Sequence, residues 1–262
     1  MTTDFAGSGC YPPKRPIHAL LIIADDDDLL QFFKREIQSR SFQRQIVVDY
    51  RYSCRNGNPG PMIAAGLTVI DLSDESTIQT ISSRYDLILS LHCFQIFPRK
   101  LVERIRCINI HPGFNPYNRG MHPYVFSIVT ELPAGATIHL MGSRIDHGDI
   151  IAQKKVEVLP SDTSLEVLRK SQDAEKELIR VHLESIIEAN YDHAPPSSTG
   201  SINSFKDYEA LCELDLAHTG TLKEHINRLR ATTWGSRYEG HFVGADGKKY
   251  LVGVVIEQVP PR

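Results

Sequence analysis

His18-Ala-Leu-Leu-Ile-Ile-Ala24, followed at once by Asp25-Asp-Asp-Asp28, is the stretch on which the fold turns. An apolar run with no polar alternation describes a strand buried on both faces, as inside a parallel sheet. The acids suit the first turn of a helix, whose N-terminus favours negative charge. Leu29, Leu30, Phe32, Phe33 and Ile37 then recur at helical spacing. Working outward, Ile46–Tyr52, Leu67–Leu72, Asp86–Leu91 and Cys107–Ile110 read as further strands; the last two each follow a segment that reads as helix, and a Gly/Pro/Asn loop spans Asn56–Pro61. Strands alternating with helices predict an α/β, Rossmann-like parallel sheet joined by right-handed crossovers. No G-x-G-x-x-G follows the first strand, so the sequence does not support a dinucleotide site.

Beyond the sheet, Leu165–Asn190 is an amphipathic helix, with Leu168, Leu178, Val181, Ile186 and Ile187 among its apolar positions. Pro195-Pro-Ser-Ser-Thr-Gly200 marks a linker. After it, Ser204–Leu211 and Thr221–Leu229 read as helices, and Gly240–Val243 and Lys249–Val255 as strands around Ala245-Asp-Gly247. The expected organisation is a flexible N-terminal segment (1–16), a large α/β domain (17–190), a linker (191–202) and a small α+β C-terminal region (203–262).

At 262 residues the chain can bury a substantial core without staples. Its formal net charge of −3 gives no electrostatic platform for nucleic acid, which demands an excess of Lys and Arg. Cys10, Cys54, Cys93, Cys107 and Cys212 are scattered, with no C-x-x-C, which argues against disulfides or a zinc ribbon and for a reducing, cytoplasmic setting. No signal-like apolar segment opens the sequence, and no apolar run approaches the roughly 20 residues of a membrane span.

The chemistry concentrates in Asn109-Ile-His-Pro-Gly-Phe-Asn-Pro-Tyr-Asn-Arg-Gly120. Asn109 and His111 alternate at the end of a strand and so project to one side. Open parallel sheets bind ligands at that carboxyl end. Pro112, Gly113, Pro116 and Gly120 then force an irregular loop. A second segment, Ala136–Met141 and Asp146-His-Gly-Asp-Ile-Ile-Ala-Gln153, brings a carboxylate on a Gly-containing loop between two strands. His111, His139 and His147 lack the H-x-x-x-H or H-E-x-x-H spacing of a metal site, so no metal is expected. His139 reads as a hydrogen-bonded strand residue. In Asp25–Asp28, part reads as a helix start and the rest as solvated charge.

These residues resemble the folate-dependent formyltransferases: Asn-x-His-Pro, an Arg-Gly loop, Gly-x-Thr-x-His at 135–139 and Asp-x-Gly-x-x-x-x-Gln at 146–153 appear in the family's order. Ser90-Leu-His-Cys-Phe-Gln-Ile-Phe-Pro98, Asn115-Pro-Tyr-Asn-Arg-Gly120 and Pro123-Tyr-Val-Phe-Ser-Ile128 narrow the likeness. They are similar to the sugar N-formyltransferases acting on dTDP-linked amino-deoxyhexoses, of the 4-amino-4,6-dideoxyglucose type. Asn227-Arg-Leu-Arg-Ala231 and Gly247-Lys-Lys-Tyr250 carry it almost to the C-terminus.

The resemblance implies a 10-formyltetrahydrofolate donor, a dTDP-amino sugar acceptor, no metal, a homodimer and a place in O-antigen or lipopolysaccharide synthesis. It implies that Asn109, His111 and Asp146 are catalytic. An imidazole, with an ordinary pKa of about 6.5, suits removal of a proton from the sugar amine. Asp146 would orient it, and the Asn109 amide would hydrogen-bond the oxyanion. Ser90, His92, Cys93, Phe94, Gln95, Ile96, Phe97 and Asp146 fall where the family holds folate, largely through backbone groups. Asn115, Tyr117, Asn118, Arg119 and Gly120 fall where it holds the nucleotide sugar, with Arg119 on the diphosphate. Met121, His122 and Thr232-Thr-Trp-Gly235 depart from the family's usual aromatic and Leu-Thr-His. The acceptor therefore stays open between dTDP- and UDP-linked sugars and Met-tRNA. Against tRNA, residues 203–262 hold eight Lys/Arg and eight Asp/Glu. A catalytically silent nucleotide-sugar binder and a metal-dependent hydrolase are the competing readings from other classes.

Overall fold

A computed structural model describes residues 11–259; residues 1–10, with Cys10, and 260–262 lie outside the described residues. Of the expected N-terminal segment, residues 11–16 are therefore described, and they have no regular structure.

In chain order the elements are β1 (Ala19–Ala24), α1 (Asp27–Gln38), β2 (Val47–Ser53), α2 (Gly60–Ala64), β3 (Thr68–Ile70), α3 (Glu75–Arg84), β4 (Leu87–Leu91), α4 (Arg99–Val102), β5 (Arg106–His111), β6 (Arg119–Gly120) and α5 (Pro123–Thr130). There follow β7 (Ala134–Leu140), β8 (Ile150–Val156), α6 (Ser164–Ile187), β9 (Ile202–Asn203), α7 (Phe205–Cys212), α8 (Leu222–Ala231), β10 (Thr233–Trp234), β11 (Arg237–Tyr238), β12 (His241–Val243) and β13 (Lys249–Leu251). The predicted hairpin strands in the C-terminal region are present but shorter than their apolar runs.

One seven-stranded sheet runs in the order β3-β2-β1-β4-β5-β7-β8. The pairs β2/β3, β1/β2, β1/β4 and β4/β5 are parallel, as the alternating pattern predicts, whereas β5 and β7 are antiparallel. The sheet is thus mostly rather than wholly parallel, because element alternation does not register the direction of a late strand. The order reverses between β1 and β4, the switch point where such sheets open a ligand crevice. Helix starts are set locally: Asp26 Oδ1 accepts from Leu29 N at 2.8 Å, and Asp74 Oδ2 accepts from Thr77 N at 2.7 Å. Reciprocal capping boxes open α7 (Ser204/Asp207) and α8 (Thr221/Glu224).

The chain forms two compact units. The first comprises the described residues through His111, with Thr137–Gln153 and Glu175–Thr199; the second comprises Pro112–Ala136, Lys154–Ala174 and the described residues from Gly200. Within the first, Leu21, Ile23, Leu72, Ile78, Ile88 and Leu101 build a buried apolar core. Within the second, Val125, Ile128, Ala134, Val167 and Ala231 do so. Val181, which shares the apolar pattern of α6, is 65% exposed. The segment 191–199 is pinned rather than slack, since Ile150 and Ala194 exchange backbone hydrogen bonds of 2.7 and 3.0 Å. Among the described residues no helix is long and apolar enough to cross a membrane.

Candidate active site

Asn109 and His111 occupy the last three positions of β5 with Ile110 between them, and both side chains are buried. Register places Asn109 opposite His139 and His111 opposite Thr137 on the antiparallel β7. Asp146 arrives on the loop between β7 and β8. Its Oδ1 accepts from Asn109 Nδ2 at 3.1 Å and lies 3.5 Å from His139 Nε2; its Oδ2 lies 3.8 Å from His111 Nδ1. The three expected catalytic residues are therefore brought together within the first unit.

Backbone constraints place the carboxylate. Asp146 itself is left-handed (φ 46°), a conformation that Asp tolerates better than most residues. Gly148 passes so close to β7 that a Cβ would stand 1.6 Å from the Leu140 carbonyl oxygen. Leu140 N donates to Asp149 O at 2.8 Å, and Asp149 N donates to the Tyr11 hydroxyl at 2.8 Å. Burial raises the Tyr11 pKa to about 12, so its hydroxyl stays protonated and can donate in return to Asp149 Oδ1.

His139, which closes the Gly-x-Thr-x-His motif and is the hydrogen-bonded strand residue the sequence suggests, is a fourth member of the group. Its Nδ1 donates to Leu140 O at 2.8 Å, which turns Nε2 towards Asn109 Nδ2 at 3.4 Å. A carbonyl only accepts, so the neutral ring carries its proton on Nδ1 and offers Nε2 as an acceptor. Both Asn109 amide hydrogens thus have partners. Among the described residues no group of three or more His, Cys, Asp or Glu is disposed to hold a metal ion.

Comparison with known proteins fixes the family. Residues 60–183 match the formyl transferase family model, and residues 207–258 match the model of the N-formyltransferase dimerization C-terminal domain. The chain is 44% identical over 184 residues to the dTDP-4-amino-4,6-dideoxyglucose formyltransferase of Mycobacterium bovis, covering 70% of this chain and 79% of that protein. The chain belongs to the sugar N-formyltransferase family. Two solved members share its fold. A sugar N-formyltransferase from a Shewanella species superposes with a TM-score of 0.89 at 41% identity, covering 93% of this chain and 99% of that one. A 4-N formyltransferase from Francisella tularensis gives 0.85 at 37% identity, covering 92% and 99%.

In this sugar N-formyltransferase the loop after β4 sits at the switch point of the sheet, beside the acids that follow β1. Ser90 is buried on β4, in register with Asn109. The His92 ring turns inward, its Nε2 2.8 and 2.9 Å from the two carboxylate oxygens of Glu175 and its Nδ1 3.6 Å from Asp26 Oδ2. Burial alone would lower the His92 pKa, but the two carboxylates overrule it and hold it up at about 10. The Gln95 side chain is also turned in: its Nε2 donates to Ile70 O at 2.9 Å and its Oε1 accepts from Leu72 N at 2.8 Å. Cys93 is half-buried and Phe97 buried, while Phe94 and Ile96 are 55% and 72% exposed. The acidic run does start a helix, with Asp26 as its cap and Asp27 and Asp28 exposed in its first turn, but Asp25 is not solvated charge. One oxygen accepts from Ser53 N and Asn56 Nδ2, both at 2.9 Å, and the other from Phe94 N at 2.8 Å. Four acids after a buried strand hint at such work, but nothing local tells which one turns inward.

The expected acceptor residues lie in the second unit. Arg119 and Asn115 are buried, so Arg119 is not a solvated loop side chain; Tyr117 is half-buried. Asn118 is committed to the fold, with Nδ2 donating to Thr130 Oγ1 at 3.0 Å and its backbone N to Ser201 Oγ at 2.8 Å. Gly120 is left-handed (φ 85°) and a Cβ there would stand 2.5 Å from Asn203 O. The ring of the departing His122 is tilted 43° to that of Tyr208 with centroids 4.3 Å apart, and its Nδ1 lies 2.8 Å from the Tyr124 hydroxyl.

Proposed function

We propose that the chain transfers a formyl group from 10-formyltetrahydrofolate to the amine of a dTDP-linked amino-dideoxyhexose. The observation that carries this reading is the convergence of Asn109, His111, His139 and Asp146 at the carboxyl end of β5, in a chain 44% identical to a dTDP-4-amino-4,6-dideoxyglucose formyltransferase. The donor fits the loop after β4: Phe94 and Ile96 offer apolar surface to a flat ring, and the inward side chains leave the backbone to meet its polar edge. When bound, the donor supplies an activated formyl carbon.

In this mechanism His111 takes the proton that the sugar amine loses as it attacks, and Asp146 stabilises the charged ring. Asn109 supplies an N–H to the formyl oxygen as negative charge builds there. Its long contact with His139, at 3.4 Å, is the one that a developing oxyanion displaces, while the 3.1 Å bond to Asp146 stays. The proton held by His111 then passes to the departing folate nitrogen. Arg119 binds the diphosphate, since a guanidinium fork matches phosphate oxygens. The enzyme works as a cytoplasmic homodimer through the region matched by the dimerization domain. The domain organisation is a catalytic domain at 17–190, a linker at 191–202 and a C-terminal region at 203–262.

The test is turnover of the purified chain with the folate donor against a panel of dTDP- and UDP-linked amino sugars and Met-tRNA. Formylation of a dTDP-amino sugar supports the reading. Transfer to Met-tRNA alone, falling steeply with salt, would replace the acceptor.

A further inference from the structure

Outside the reacting group, one buried cluster of charges has no role in the proton transfers. Glu175 lies on α6 with 0% exposure, and both of its oxygens face the His92 ring. Asp26 meets the other ring nitrogen while capping α1 through Leu29 N. His92 also has a left-handed backbone (φ 57°), uncommon for a residue with a side chain. The next residues are tied in the same way, Phe94 N to Asp25 and the Gln95 amide to the end of β3. Positions 92 and 95 are thus anchored inward and 94 and 96 are left facing outward. A loop built only to connect β4 to α4 needs no buried ion pair to fix its conformation.

We infer that His92, clamped between Glu175 and Asp26, is a positioning residue that pre-forms the 92–97 loop as the donor's binding surface. This rests on the proposed use of a folate donor. His92 itself touches no reacting atom; it fixes where the loop's backbone groups and the Phe94 and Ile96 side chains stand before the donor arrives. Such pre-organisation removes an ordering cost from binding and so acts on donor affinity rather than on chemistry.

The test is a KM-against-kcat split in Glu175→Gln and His92→Gln. Donor KM should rise about tenfold or more, the scale of one lost pre-organising contact. The acceptor KM, and kcat at saturating donor, should stay within about threefold. An unchanged donor KM in folded variants, or an equal rise in both KM values, overturns the inference. Imidazole ¹⁵N NMR of the wild-type enzyme needs no variant. The His92 ring should already be a fixed imidazolium in the free enzyme and stay so with saturating tetrahydrofolate, and a ring that becomes fixed only when tetrahydrofolate binds again overturns the inference. If the wild-type protein binds no folate derivative, the donor reading falls and this inference with it; wild-type binding with unchanged variant affinity removes the positioning role alone.

Discussion

Replacing Gly148 by alanine tests whether the placement of Asp146 carries the chemistry. The added Cβ would lie 1.6 Å from Leu140 O and 2.6 Å from its carbonyl carbon, where ordinary contact begins at 3.4 Å. Relief therefore needs about 1.8 Å of relative movement (3.4 minus 1.6), and both partners are backbone, so no side chain can swing aside. The movement falls on the loop, because Leu140 is paired with Ile108 in the sheet and Gly148 lies outside any strand. It breaks the 2.8 Å bond from Leu140 N to Asp149 O and draws Asp146, two residues earlier, off its 3.1 Å bond to Asn109. The overpacking costs about 1–3 kcal/mol of stability. A displacement on the order of 1 Å at a catalytic group costs about 10²-fold in rate. Gly148→Ala should therefore fold, with a lowered thermal midpoint, and lose kcat by about 10²-fold or more. Steady-state kinetics beside a thermal melt read both. A wild-type kcat in the folded variant would refute the reasoning.

Three further outcomes follow from the same geometry. His111→Ala should lose about 10²–10⁴-fold in turnover with its melting transition retained, the range of a general base; a near-wild-type kcat contradicts that role. Arg119→Ala should raise the acceptor KM well above the donor KM, and an equal effect on both would assign Arg119 to the fold. His92 gives the pH dependence: its pKa is raised from 6.5 to about 10 in the folded chain, so its stabilisation is full below about pH 6.5 and is lost as pH climbs towards 10. The difference in thermal midpoint between wild type and His92→Gln should therefore shrink between pH 7 and pH 10, and a constant difference would show that the ring is not held charged.

Much of the sheet was legible because its strands are short apolar runs: Ala19–Ala24, Leu87–Leu91 and Arg106–His111 fall where the runs place them. The reversal of β7 was not legible, since a strand's apolar pattern is the same in either direction. That Asn109, His111 and Asp146 meet could be read because residue type and order survive in the motifs. The side-chain partners of His139 and Glu175 were not legible for a different reason. A histidine in a strand and a glutamate in an amphipathic helix read as ordinary residues, and only the register opposite Asn109 and the inward face of α6 give them partners. Asp25 and Asp26 were indistinguishable from Asp27 and Asp28 until the turn after β1 set which of the four point inward.

Movement of a formyl group onto a sugar amine is read most directly by ¹³C NMR of purified enzyme with 10-[¹³C]formyltetrahydrofolate and dTDP-4-amino-4,6-dideoxyglucose. The labelled carbon should leave the folate resonance and appear as a sugar formamide, with no such transfer in His111→Ala. Label that stays on the folate, or is released only as formate, would contradict the proposed transfer.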